Sequence, residues 1–202
     1  MDADDHSHED HRRLAPLLLA CGTVGGTAAF ALVLEKIATL REPSHVPSCD
    51  LNPIMSCGSV MSTAQAELFG FPNPLLGIVG FTIVVVTGVV LLGGAQLSRW
   101  YWLGLQVGVT FGMTLVVWLI FQSVYRIGAL CPYCMAVWAV MPLIFWFVTR
   151  RNAQVGVFGS RVAASSLVVW AVRWQPVILA IAYLLLVMLI LERFWFYWST
   201  LL

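Results

Sequence analysis

GALCPYCMAVW, residues 128–138, opens an apolar run that extends from Ile127 to Thr149. Two cysteines stand three positions apart at its threshold. In a helix, positions i and i+3 share a face, so Cys131 and Cys134 can bridge within one turn. Pro132 suits a first helical turn, where its missing N–H would be unpaired in any case. A helix N-terminus carries partial positive charge, which stabilises a thiolate and lowers its pKa. The stretch therefore reads as a redox-active dithiol at the mouth of a membrane span.

The surrounding chain has the composition of a membrane protein. Of its 202 residues, 60% are hydrophobic and 10% charged, whereas a soluble domain carries roughly a quarter charged residues. The net charge of +1 argues against a nucleic-acid partner. A helical span takes about 20 apolar residues, and four further runs qualify or nearly do: Leu14–Leu34, Leu68–Ser98, Trp100–Tyr125 and Trp174–Leu191. The last is the shortest, and Pro176 suits its first turn. Leu14–Leu34 is longer than the roughly 7 to 15 residues of a signal-peptide core, and Glu35-Lys36 is expected to close it as a helix end. Residues 1–13 are polar and expected to form a disordered tail, with His6, His8 and His11 solvated.

The expected class is an all-α integral membrane protein. Residues 1–13 are its cytoplasmic tail, 14–149 a four-helix transmembrane bundle with an outer loop at 41–74, 150–173 a cytoplasmic connection, and 174–202 a fifth transmembrane helix with the C-terminus. Within the connection, SSLVVWAVRW suits an interfacial helix. A cytoplasmic N-terminus puts Arg12, Arg13, Arg99, Arg150, Arg151, Arg161 and Arg173 inside and Lys36, Arg41, Arg126 and Arg193 outside. The excess of basic residues inside favours this orientation in the plasma membrane.

Five cysteines are present. Cys21 lies mid-span and reads as a small buried hydrophobe. Cys49 and Cys57 fall in the outer loop, on the same side as Cys131 and Cys134, the oxidising side where disulfides persist. Positions eight apart lie about 12 Å apart in a helix and more than about 25 Å apart when extended, but a disulfide needs about 4.4 to 6.8 Å between α-carbons. CDLNPIMSC must therefore double back, and Asp50, Asn52 and Pro53 are suitable turn residues. A bridge on such a loop is expected to be mobile and exposed. In SVMSTAQAELFGF, Ser62-x-x-Gln65 resembles a capping box and Gly70 a stop, giving a short helix lying over the outer end of the bundle. FPNPLLG then enters the second span. Asn73 either satisfies local backbone there or points at a ligand.

Three uses of the four cysteines compete. A structural zinc site usually combines two short-spaced knuckles, and only one short spacing exists here, so no metal is expected. Two structural bridges could staple a transporter or channel, but few charges lie within the spans to mark an ion path. A thiol–disulfide relay accounts for both pairs. Exchange proceeds by thiolate attack through mixed disulfides. The loop pair can meet a protein outside, and the deeper pair can meet a lipid-soluble acceptor, a quinone held in the bundle.

CDLNPIMSC, GSVMST, FPNPLLG and CPYC, in that order, resemble the vitamin K epoxide reductase family, in particular its bacterial members with a fifth span. The resemblance covers roughly residues 14–149. It implies a four-helix bundle enclosing a quinone, menaquinone or ubiquinone, under the outer-loop helix as a lid. It implies that Cys49 meets a separate DsbA-like thioredoxin-fold partner and that Cys57 passes electrons to Cys131 through a transient interloop disulfide. Cys134 is then the thiolate facing the quinone. Asn73 matches an asparagine that hydrogen-bonds a quinone carbonyl, and Thr63 falls where a serine is often found. Trp138 falls where animal members have tyrosine, so packing against the ring is its implied role. The implied activity is quinone-dependent oxidation of protein dithiols.

Overall fold

In the computed structural model, which describes residues 2–52, 54–163 and 165–199, long apolar helices set the architecture. In chain order these are α1 (Asp2–Arg41), α2 (Cys57–Met61), a 3₁₀ turn (Ala64–Glu67), α3 (Asn73–Leu92) and α4 (Arg99–Phe121), which runs on into a π turn (Gln122–Ile127). They are followed by α5 (Pro132–Gln154), α6 (Ser160–Ala163), α7 (Ser166–Arg173), α8 (Gln175–Arg193) and α9 (Trp195–Trp198). Among the described residues, five segments are long and apolar enough to cross a membrane: Leu14–Arg41, Asn73–Leu92, Arg99–Ile127, Pro132–Gln154 and Gln175–Arg193.

Two expectations for α1 change. It does not close at Glu35-Lys36 but continues to Arg41, because both charges find partners beyond the helix. Glu35 meets His45 and Ser48, and Lys36 meets Glu67. At the other end the helix takes in residues 2–13, the expected disordered tail. The side chains of that segment, His6, His8 and His11 included, lie outside the described residues.

The second span is shorter than its apolar run. Pro72 caps α3 with Pro74 in the first turn, and the helix stops at Gly93, followed by Gly94 with φ +78°. After the π turn, Gly128 adopts φ +72° and breaks the chain from α4 into the approach to α5.

α1 packs against α3 and α5, and α4 against α5. The α1–α3 contact is close because of Gly88. A Cβ there would sit 2.9 Å from the Leu19 nitrogen and 3.0 Å from the Ala15 carbonyl oxygen. Small residues at such crossings let backbones approach where lipid gives no hydrophobic drive to association. Leu18, Ile144, Val148 and Trp102 are among the fully buried side chains between the helices.

At the end away from the cysteines, Asn152 is fully buried and donates to the Trp102 carbonyl (3.2 Å) and Gln106 Oε1 (3.0 Å). Gln106 donates in turn to Thr149 Oγ1 (2.9 Å), and the Arg151 guanidinium lies 3.6 Å from the Trp102 ring centre. α8 joins the bundle along its length. Arg150 donates to Gln175 (2.7 Å), Tyr183 to the Ala139 carbonyl (2.5 Å), and Arg193 to the Val124 carbonyl in the π turn (3.2 Å). α7 exposes Leu167, Val169 and Trp170.

Candidate active site: two cysteine pairs on an apolar cavity

The loop between α1 and α2 folds back on itself, as the spacing of Cys49 and Cys57 requires. Asn52 Oδ1 accepts from the N–H groups of Ile54 (3.0 Å) and Met55 (2.8 Å), and Asp50 Oδ1 accepts from Gly58 N–H (3.0 Å). Both are expected turn residues; the third, Pro53, lies outside the described residues. The reversal brings the Cys49 and Cys57 α-carbons to 5.7 Å, and the two form a disulfide. Ahead of Cys49, the Glu35 carboxylate holds the loop. It accepts from Ser48 N–H (3.2 Å) and Ser48 Oγ (2.5 Å), and its other oxygen lies 2.9 Å from His45 Nε2.

The bridge is not exposed as expected. Cys49 is 5% and Cys57 0% accessible. Both join Leu32, Met61 and Cys131 in a small apolar cluster, with Val60, Tyr133 and Cys134 packed against it. Sulfur is apolar enough to be drawn into such a cluster. Cys49, Asp50 and Cys57 also bring their ligand atoms within 4.8 Å of one another, but both sulfurs are tied in the disulfide.

The expected capping box does not form. Ser56 caps α2 instead, its Oγ accepting from Ser59 N–H at 3.0 Å, and Ser62 ends that helix. Thr63 begins the 3₁₀ turn with no side-chain cap. The expected single helix is thus a short α-helix and a 3₁₀ turn, closed by Gly70 with φ +80°.

Cys131 occupies the cap position of α5 with extended backbone (φ −110°, ψ 119°), and Pro132 follows in the first turn. Its Sγ accepts from the Cys134 N–H at 3.3 Å, so the sulfur stands where a serine or aspartate oxygen usually caps. The hydrogen bond with the Cys134 side chain holds the Cys131 thiol below its ordinary range, helped by the N–H groups of Cys134 and Tyr133. Burial and the Asp50 charge oppose it.

Backbone pairing brings the two cysteine regions together. Leu130 N–H donates to the Ile54 carbonyl (2.8 Å), and Ser56 N–H donates to the Leu130 carbonyl (2.9 Å). This parallel bridge lies immediately before Cys57 and Cys131. Their sulfurs stand 3.2 Å apart. Cys57 is therefore bonded to Cys49 on one side and in contact with a free thiol on the other.

Beneath the pair lies a cavity of about 450 Å³, lined mostly by apolar side chains of α1, α3, α4 and α5. Cys131 and Cys134 line it, as do Asn73, Thr63, Met61 and Trp138. Asn73 is buried; its Oδ1 accepts from Leu68 N–H (3.2 Å) and its Nδ2 donates to the Gln65 carbonyl (2.7 Å). An amide has two N–H donors, so one serves the 3₁₀ turn and a second remains for the cavity. The Thr63 hydroxyl donates to the Val60 carbonyl (2.8 Å), which leaves its oxygen as an acceptor. Trp138 is buried against the cavity one turn beyond Cys134. Cys21 lies partly buried among core side chains.

A model of the vitamin K epoxide reductase family matches residues 16–149, from α1 to α5. The chain belongs to the vitamin K epoxide reductase family. No curated protein matches it. Membership and the five apolar helices make it an all-α, multi-pass membrane oxidoreductase of the vitamin K epoxide reductase type. The segment from α6 onward lies outside the match.

Three features of the site are absent from the sequence reading. The Met55–Leu130 bridge has no side-chain signature. Lys36 and Glu67, paired at 2.9 Å, both line the cavity. In the sequence Lys36 was only a charge at the end of an apolar run; the span continues to Arg41, and a charge within a span calls for a partner and a role.

Proposed function

We propose that this protein oxidises dithiols of an extracytoplasmic, DsbA-like thioredoxin-fold partner and passes the electrons through two cysteine pairs to a membrane quinone. The observation that carries this reading is the row of sulfurs: Cys49 bonded to Cys57, Cys57 3.2 Å from Cys131, and Cys134 opening on an apolar cavity. The cysteine end faces outward and the N-terminus is cytoplasmic, as the arginine distribution favours.

A partner thiolate attacks Cys49 and breaks the Cys49–Cys57 bond, leaving Cys57 as thiolate. The partner's second thiol resolves the mixed disulfide and releases oxidised partner and Cys49 thiol. Cys57 then attacks Cys131 of the Cys131–Cys134 disulfide and frees Cys134 as the thiolate on the cavity. Cys49 displaces Cys131 from Cys57, which restores the Cys49–Cys57 disulfide. Cys131 and Cys134 are then both reduced, the state in which they are seen here. The quinone, menaquinone or ubiquinone, is the second substrate. It takes the two electrons of that dithiol as the Cys131–Cys134 bond reforms. The spare N–H of Asn73 donates to a quinone carbonyl, the Thr63 oxygen accepts from a quinol hydroxyl, and Trp138 packs on the ring.

Because Cys49 is buried, the loop at 45–52 must lift to meet the partner. The test is quinone reduction by purified protein with a reduced thioredoxin-fold substrate. Absorbance change of the quinone, abolished in a Cys49→Ala/Cys57→Ala double variant, is expected. No quinone reduction by the wild type, or normal turnover in the double variant, overturns the scheme.

A further inference from the structure

Reduction of a quinone to a quinol takes two protons as well as two electrons. Cys134, freed as a thiolate on the cavity, must first take up a proton and then supplies one there. Cys131 also borders the cavity, but its sulfur lies against that of Cys57, and a proton released at that contact leaves on the loop side. The cavity is then one proton short at each turnover.

Lys36 is placed to provide it. Ala29, Leu32 and Lys36 follow one another at helical spacing along α1, and all three line the cavity. The neighbouring Glu35 is turned instead to His45 and Ser48. Lys36 Nζ makes two bonds, to Glu67 Oε1 (2.9 Å) and to the Met61 carbonyl (3.0 Å). An ammonium has three N–H donors, so one remains. The Lys36 side chain is 19% accessible and that of Glu67 is 42%. The pair therefore steps from water towards the cavity.

The other hydroxyls lining the cavity do not compete; Thr63 donates to the Val60 carbonyl. Ser123 donates to the Ala129 carbonyl, and Tyr101 is bonded to Thr87 near the start of α4, at the far end from the cysteines. An ionisable residue within an apolar span marks a proton or ion path by default.

We propose that Lys36 is the proton donor for the second oxygen of the quinone and that Glu67 restores its proton from the water outside. This rests on the quinone reading above. Two electrons come from the Cys131 and Cys134 sulfurs as their disulfide forms, one proton from Cys134 and one from Lys36. The exposed Glu67 carboxylate then takes up a proton from solvent and passes it to the resulting Lys36 amine.

The experiment measures quinol formation by the purified full-length chain with a reduced thioredoxin-fold substrate and a soluble short-chain quinone. Proton transfer by a positioned side chain is commonly worth about 10²–10⁴-fold, so Lys36→Met should lose about 10²-fold or more. Lys36→Arg decides between proton transfer and a mere lid contact. A guanidinium can reach Glu67 and the Met61 carbonyl but does not release its proton, so Lys36→Arg should be as slow as Lys36→Met. A small amine in the buffer should restore part of the rate of Lys36→Ala. Glu67→Gln should slow steady turnover more than the first turnover. Lys36→Arg turning over at the wild-type rate, or Lys36→Ala deaf to added amine, overturns the proton path alone. Wild-type protein that oxidises the dithiol without forming quinol overturns the quinone reading itself.

Discussion

Replacing Asn73 by alanine separates the closing of the cavity from its chemistry. Asn73 pins the 3₁₀ turn over the cavity through two hydrogen bonds, from Leu68 N–H at 3.2 Å and to the Gln65 carbonyl at 2.7 Å. Alanine removes both and leaves a donor and an acceptor unmatched in a part-buried setting. Each such loss costs about 1–3 kcal/mol, so the closed turn loses about 2–6 kcal/mol. Even 2 kcal/mol raises the open population about 30-fold. The effect is local, because α3 keeps its own hydrogen bonds and its packing on α1, and local opening does not require global unfolding. The assay is hydrogen exchange at the amides of residues 65–70, with Leu68 the direct reporter. Its exchange should quicken by at least about tenfold, while amides in the middle of α3 stay protected. The KM for quinone should rise in parallel. Unchanged exchange at Leu68 refutes the role of Asn73 as the pin of the turn.

Two further outcomes are expected. Gly88→Val forces a side chain into the Leu19 and Ala15 backbone and should destabilise by about 1–3 kcal/mol, read as a lower thermal midpoint in detergent. Gly80→Ala, with nothing within 4 Å of its Cβ, should show no loss, and equal midpoints for the two variants would refute the close crossing. The Cys131 thiol, held down first by its bond with Cys134, should alkylate with a pH midpoint below the roughly 8.5 of a free cysteine, and Cys134→Ala should raise that midpoint. Since the folded value is depressed, the stability it contributes is present above the unfolded value and is lost as pH falls through the folded one. An alkylation midpoint at or above 8.5 or so contradicts this.

The parts of the fold legible in the sequence were those with a local or compositional cause. The spans follow from apolar length, and Gly70 stops the lid segment as its freedom at positive φ suggests. Pro132 announces the start of α5, and the α-carbon distance a disulfide allows requires the loop to reverse between Cys49 and Cys57. What escaped was decided between elements distant in sequence. Burial of Cys49 needs Leu32, Met61 and Cys131 from three separate segments. Ser62-x-x-Gln65 had the letters of a capping box, but Ser56 starts the helix earlier and consumes Ser62 as its end. Lys36 looked like a boundary because a charge at the end of an apolar run is the same letter whether solvated or paired with Glu67. Asn73 took the first of the two roles its sequence position left open, bonding the local backbone at Gln65 and Leu68.

The main-chain bridge between Met55 and Leu130 also bears on competition. Cys57 and Cys131 are 74 positions apart, yet each sulfur meets the other as if at enormous concentration. Well-oriented groups within one molecule react as if present at roughly 10⁵–10⁸ M. A free thiol in the surroundings, at millimolar levels or below, cannot outrun that encounter. In the proposed relay, selectivity between the internal step and stray reductants is therefore kinetic, and it is held by peptide groups that no replacement short of proline removes. Inserting a residue on either side of the bridge would disturb it more than most substitutions within it.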